Sequence, residues 1–142
     1  MRLWHQSLIP SLPRMMLLGQ HRETCALRGR GWAKSHSVVD YVFRNNPHKL
    51  FRYHQAVMTE MRKRGYHPDI LWDDPLYRGK HCNPHHDALN DSPEGSLVYS
   101  EHNDRYYREC VLNLYHKVTS ALPGKYKPEE IGEITKLYEE LK

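Results

Sequence analysis

The chain has 142 residues, of which 39% are hydrophobic and 27% charged, which suits one globular domain over residues 1–142, and no run is long enough to span a bilayer. A net charge of +4 with 11 histidines favours an acidic partner, although it lacks the dense basic run of a nucleic-acid-binding arm. Cys25, Cys82 and Cys110 are odd in number and far apart, which argues against a disulfide framework and fits a reducing compartment.

The first residues, MRLWHQSLIPSLPR, contain no apolar core of signal-peptide length, so a soluble, intracellular protein is expected. Arg2 is too large for methionine removal, which leaves the α-amine on Met1. Such an amine has a pKa of about 7.7–8.0, against about 10.4 for lysine, and is a ready nucleophile near neutral pH. Leu3, Trp4, Leu8, Ile9 and Leu12 are apolar enough to dock this end on the body of the protein.

A helix is predicted over Leu12 to Leu27, with Ser11 as its cap, Pro13 in its first turn and Gly29 as a left-handed stop. At roughly 100° per residue, Leu12, Met16, Gly19, Ala26 and Leu27 share one stripe, and Glu23 falls in its middle with Arg22 on its flank. A carboxylate on an apolar stripe is either paired by a cation or kept for chemistry that a shifted pKa serves. Gly19, one turn earlier, leaves room for a ligand to approach it.

The basic, glycine-containing stretch RGRGWAKSHS follows as a loop whose Arg28, Arg30 and Lys34 suit phosphate groups, or simply solvent. Val38 to Phe43 is an apolar run of undecided structure. Asn46-Pro47 opens a helix to Arg64, with Leu50, Phe51, His54, Val57, Met58 and Met61 as its buried face, Gly65 as its stop and Arg62, Lys63 and Arg64 complementing its dipole.

Tyr66 to Asn103 reads as a long loop. In it, Cys82-x-x-His85 with His81 and Asp87 has metal-capable chemistry but no second matching pair, while Trp72, Tyr77, Arg78 and Lys80 suit a nucleic-acid groove. A third helix runs from Asp104 to Ala121 behind an Asn103 cap, with Tyr107, Cys110, Val111, Leu114 and Val118 inward. Pro128 opens an acidic fourth helix with Ile131, Ile134, Leu137, Tyr138 and Leu141 on its apolar side and Glu129, Glu130, Glu133, Glu139 and Glu140 towards water. The fold expected is therefore all-α, a single compact domain of three to four main helices with long irregular loops, divided into a body (1–122) and an acidic carboxyl-terminal helix (123–142).

Met1-Arg2, the Arg22-Glu23 pair, the basic loop and the helix ending in Lys63-Arg64-Gly65-Tyr66 occur in an order that resembles the pyrimidine-dimer DNA glycosylases of the phage endonuclease V type. Tyr77-Arg78-Gly79 resembles a further turn of that family, and Lys117 falls where it carries a phosphate-binding lysine. The family's histidine on the first helix falls at Met15 and Met16 here. Its arginine after the glutamate falls on Ala26, so Arg28 or Arg30 takes that place, and its aromatic tail is replaced by the acidic helix.

The resemblance implies a glycosylase with AP-lyase activity on ultraviolet photoproducts or abasic sites in duplex DNA. Met1 would supply the attacking amine, Glu23 and Arg22 would complete the catalytic set, and Arg2, Arg28, Arg30, Lys34, Arg78, Lys80 and Lys117 would meet DNA. Neither metal nor cofactor is needed, and a monomer that works on DNA in the cytoplasm and nucleoid, away from membranes, is expected. Two other readings remain open on the residues: a non-catalytic nucleic-acid-binding module with Glu23 merely paired, and a metal-dependent hydrolase built on His81, Cys82, His85 and Asp87.

Overall fold

The computed structural model describes residues 2–29, 40–85 and 97–142. Among them the secondary structure is helical, without strands: a 3-10 turn Gln6–Ser11, α1 Arg14–Arg28, α2 Asp40–Arg44, α3 Pro47–Lys63, a 3-10 turn Ile70–Asp73, α4 Asp104–Ser120 and α5 Pro128–Glu140. The main packing pairs are α1 on α3 and α4 on α5, with the first 3-10 turn touching α3 and α5.

The long helices begin where local chemistry permits. Asn46 accepts from the His48 amide and Asn103 from the Tyr106 amide, each side chain satisfying a donor that the first helical turn leaves over. Gly65 (φ 91°) and Gly124 (φ 86°) take the left-handed conformation where α3 ends and in the turn after α4. The undecided run Val38 to Phe43 contributes α2 from Asp40 onward, and its first two residues lie outside the described ones.

The start of α1 departs from expectation. Pro13, not Ser11, occupies the cap position and offers no side-chain acceptor, because Ser11 closes the preceding 3-10 turn. The Arg14 amide donates instead to Glu130 Oε2 of α5 at 2.6 Å, while Glu130 Oε1 accepts from the Lys127 amide at 2.9 Å. Glu130 therefore does not simply face water: it caps two helices. Gly29 has φ −91°, so its role is close approach and not left-handed geometry; a Cβ there would sit 2.8 Å from the Arg78 carbonyl oxygen.

The core joins the amino-terminal segment to α3 and α4. Leu3, Leu8, Leu12 and Leu17 meet Leu50, Tyr53 and Val57 of α3 and Cys110, Val111 and Leu114 of α4, and Ile134 of α5 completes it. Residues 2–5 belong to no helix, and among the described residues no strand pairs with them, so side chains take over their hydrogen bonding. The Leu3 carbonyl accepts from Tyr106 Oη at 2.5 Å and the Trp4 carbonyl from Tyr53 Oη at 2.6 Å. The Gln6 amide donates to His102 Nδ1 at 3.0 Å, which places the neutral ring's proton on Nε2, 2.9 Å from Tyr41 Oη.

Burial drives His102 down to about 3 and His54 well below the ordinary histidine range. A depressed histidine favours the folded state above its unfolded pKa of about 6.5 and withdraws that stability as pH falls towards the folded value. The unfolding midpoint is therefore expected to drop steadily from pH 6.5 to pH 4 in thermal denaturation. His102→Gln, whose amide can accept from Gln6 and donate to Tyr41, is expected to flatten that slope.

Candidate active site

Glu23 lies on the side of α1 next to the core. The buried stripe of that helix is Leu17, Gln20, Thr24, Leu27 and Arg28, so the helix is rotated from the expected orientation and Ala26 is exposed. The reason is polar burial: Thr24 Oγ1 donates to the Gln20 carbonyl at 2.6 Å, and the Gln20 side chain is fully bonded inside. Counting only apolar residues misses such a stripe. Half-buried Glu23 then borders a cleft of about 490 Å³ whose walls include Trp4, Gly19, Gln20, Lys117, Lys125 and Tyr126.

Desolvation raises the Glu23 carboxyl above the usual carboxylate range, and the Arg22 and Lys117 charges oppose that rise. The nearest described part of the amino-terminal segment is tied to it through one side chain. Gln20 Nε2 donates both to the Arg2 carbonyl (3.1 Å) and to Glu23 Oε2 (3.3 Å). Arg2 itself rests over the Trp4 and Tyr106 rings and reaches Glu109 at 3.4 Å.

Of the residues expected at the site, the structure thus gathers Glu23, Lys117 and the Arg2 backbone, with exposed Arg22 beside them. Met1, Arg30 and Lys34 lie outside the described residues, as does Asp87. Lys80 is exposed. Gln20, Lys125 and Tyr126 were not foreseen. The two residues from the α4–α5 connection are distant in sequence from any motif, whereas Gln20 had one signal, its place three residues before Glu23.

Arg28 and Arg78 belong elsewhere. Arg28 is 4% exposed and points inward: Nη1 donates to the Trp72 carbonyl at 2.9 Å and to His54 Nδ1 at 3.0 Å, and Nη2 donates to the Asp74 and Tyr77 carbonyls at 2.8 and 3.0 Å. The Phe51 and Trp72 rings flank it at 5.3 and 4.9 Å. Burial pushes its guanidinium down to about 10, so it stays cationic at neutral pH. Arg28 therefore does not take the DNA-contacting place expected of it; it ties the loop after α3 to α1. Arg78 answers from that loop, donating to the Arg28 and Gly29 carbonyls, both at 3.1 Å. Half-buried Trp72 packs on Arg28 and against Tyr77 at 4.8 Å, so its ring is occupied within the loop.

Metal-capable chemistry also gathers away from the expected segment. His81 is exposed and Cys82 and His85 are half-buried, whereas His21, Cys25 and His54 place one ligand atom each within 4.8 Å of one another. Arg28 sets the protonation of this second group. A guanidinium only donates, so His54 Nδ1 accepts and its proton sits on Nε2, which donates to His21 Nδ1 at 2.8 Å. Burial also raises the Cys25 thiol to about 11. As held, the cluster is a one-way hydrogen-bond chain running from Arg28 through His54 to His21.

The site is thus a carboxylate of raised pKa in a cation-lined cleft beside the amino-terminal segment, an arrangement chemically able to receive an anionic group and to exchange a proton. A family model described as pyrimidine dimer DNA glycosylase matches residues 1–74, just over half of the 142-residue chain, and the protein belongs to that family. No significant match was found among curated proteins or among solved structures. Residues 1–74 include α1 with Glu23 and α3, whereas Lys117, Lys125 and Tyr126 lie beyond the match. Among the described residues no helix is long and apolar enough to cross a membrane.

Arg28→Ala removes the donor shared by the Trp72, Asp74 and Tyr77 carbonyls and opens a cavity, and is expected to cost roughly 3–5 kcal/mol. Urea unfolding measures the loss. Lys80→Ala, on the exposed surface, is the matched control, with an expected change within about 0.5 kcal/mol.

Proposed function

We propose that this member of the family is a DNA glycosylase with AP-lyase activity on ultraviolet-induced pyrimidine dimers, working through the Met1 α-amine and Glu23. The observation that carries the reading is the Glu23 carboxyl of raised pKa, tied through Gln20 to the Arg2 backbone in a cleft with Lys117.

In this mechanism the unprotonated amine attacks C1′ of the damaged nucleotide and the glycosidic bond breaks, while the Glu23 carboxylate faces the positive charge developing on the sugar. Sugar-ring opening gives an imine at C1′. Glu23 then removes a C2′ proton; that electron pair forms the C2′–C3′ double bond and the 3′-phosphate leaves. Hydrolysis of the imine returns the amine. General-base help of this kind typically contributes about 10²–10⁴-fold.

Arg2, Arg22 and Lys117 hold the flanking phosphates, with Lys125 beside them and Lys80, Arg30 and Lys34 as further contacts. Extruding a nucleotide costs a few kcal/mol, least at a damaged step. The protein works as a monomer, without metal, as one domain whose acidic helix is part of the body, on cytoplasmic DNA carrying dimers or abasic sites.

A duplex with one cyclobutane dimer, incubated in excess EDTA with protein shown by intact mass to carry a free Met1 amine, is expected to be incised. Borohydride is expected to trap a covalent protein–DNA adduct. No adduct on dimer or abasic duplex would overturn the amine mechanism.

Glu23→Gln is expected to abolish incision while DNA affinity stays within about twofold. A carboxyl whose folded pKa is raised destabilises the fold once pH exceeds its unfolded pKa of about 4.3, so the same variant should unfold at a higher temperature at pH 7. A lower midpoint with intact incision would mean that Glu23 is only a structural partner.

A further inference from the structure

Gln20 is 1% exposed, and all its hydrogen-bonding capacity is engaged. Oε1 accepts from the Trp4 amide at 2.8 Å and shares the Tyr53 hydroxyl, 3.0 Å away, with the Trp4 carbonyl; Nε2 donates to the Arg2 carbonyl at 3.1 Å and Glu23 Oε2 at 3.3 Å. The partners fix the orientation of the amide. The Trp4 N–H only donates and the Arg2 carbonyl only accepts, so Nε2 has to be the atom facing Glu23. One rigid group therefore grips the backbone on both sides of Leu3 and touches the carboxylate on the same face of α1.

From this geometry we infer that Gln20 is a positioning residue: it fixes the Arg2 backbone, next in the chain to the proposed amine, relative to Glu23, and orients the carboxylate by donating to it. The inference rests on the amine and Glu23 reading above. An apolar residue would fill the same volume and anchor neither. A glutamate would still accept from Trp4 and Tyr53, but as a carboxylate it could not donate to Arg2 or Glu23.

Two consequences separate positioning from mere support of the fold. First, the damage falls on chemistry and not on DNA affinity, because Gln20 is buried and meets no phosphate. Displacing reacting groups by about 1 Å costs on the order of 10²-fold. Secondly, Glu23 loses a donor to its ionised form, so the acidic limb of the pH profile moves upward. Desolvation already raises that carboxyl, which makes the remaining donor the more important.

The experiment compares wild type, Gln20→Met and Gln20→Glu for incision and borohydride trapping on an abasic duplex from pH 4.5 to 8, with DNA affinity and thermal midpoint measured alongside. Both variants are expected to lose roughly 10- to 100-fold in single-turnover cleavage while Kd changes less than about threefold. Their low-pH midpoints are expected to lie above that of wild type, further for Gln20→Glu because its introduced charge repels Glu23. Loss of midpoint temperature with wild-type cleavage rate and pH profile per folded molecule would overturn the inference.

If neither variant folds, the wild-type protein still decides. The ¹⁵N-labelled Gln20 side-chain amide is expected to shift with pH at the midpoint of the cleavage limb, and to lose that titration in Glu23→Gln. An amide signal indifferent to Glu23 ionisation would overturn the inference. Absence of any trapped adduct with wild type would instead defeat the amine mechanism, leaving the amide titration to report on Gln20 alone.

Discussion

The rest of the molecule depends on how residues 2–5 are held. A segment outside any helix or sheet would leave its peptide groups orphaned in a core, and each such group is costly to bury unpaired. Here the pairing comes from side chains on three helices: Gln20 of α1, Tyr53 of α3 and Tyr106 of α4. Those same helices enclose Leu3 and Trp4, so one set of contacts both closes the core and fixes where the chain begins. The geometry beside Glu23 follows from that docking.

A second constraint organises the carboxyl-terminal end of α1. There a buried cation, with no carboxylate in contact among the described residues, is accommodated by three backbone carbonyls, an imidazole nitrogen and two aromatic faces. Spreading one charge over several dipoles avoids burying a second ion. It also lets a loop with little regular structure keep a defined path, because its carbonyls at Trp72, Asp74 and Tyr77 converge on a single guanidinium. Within α1 the work is thus divided: the part carrying Glu23 faces the cleft, and the last residue, Arg28, holds the loop.

Much of the fold was legible because the signals were local. Asn46 and Asn103 caps, Gly65 and an unbroken apolar stripe define α3 and α4, and apolar Leu3, Trp4 and Leu8 foretold a docked amino end. The phase of α1 was not legible, since Gln20, Thr24 and Arg28 are polar residues buried by partners that only the tertiary structure supplies. Glu23 stood out through its place beside apolar residues, and Lys117 through the family resemblance alone. Lys125, Tyr126 and the capping role of Glu130 are contacts between parts of the chain far apart in sequence, and no local pattern encodes them.

The bond from the Arg14 amide to Glu130 spans 116 positions. During synthesis at about 5–20 residues per second, those positions take roughly 6–23 s to emerge, and α1 has no acceptor for that amide until they do. The cleft keeps the same schedule, because Glu23 is made early while Lys117, Lys125 and Tyr126 are made late. A nascent chain therefore carries its carboxylate for seconds without the cations opposite it, and the site comes into being only as the last helix folds back onto the first.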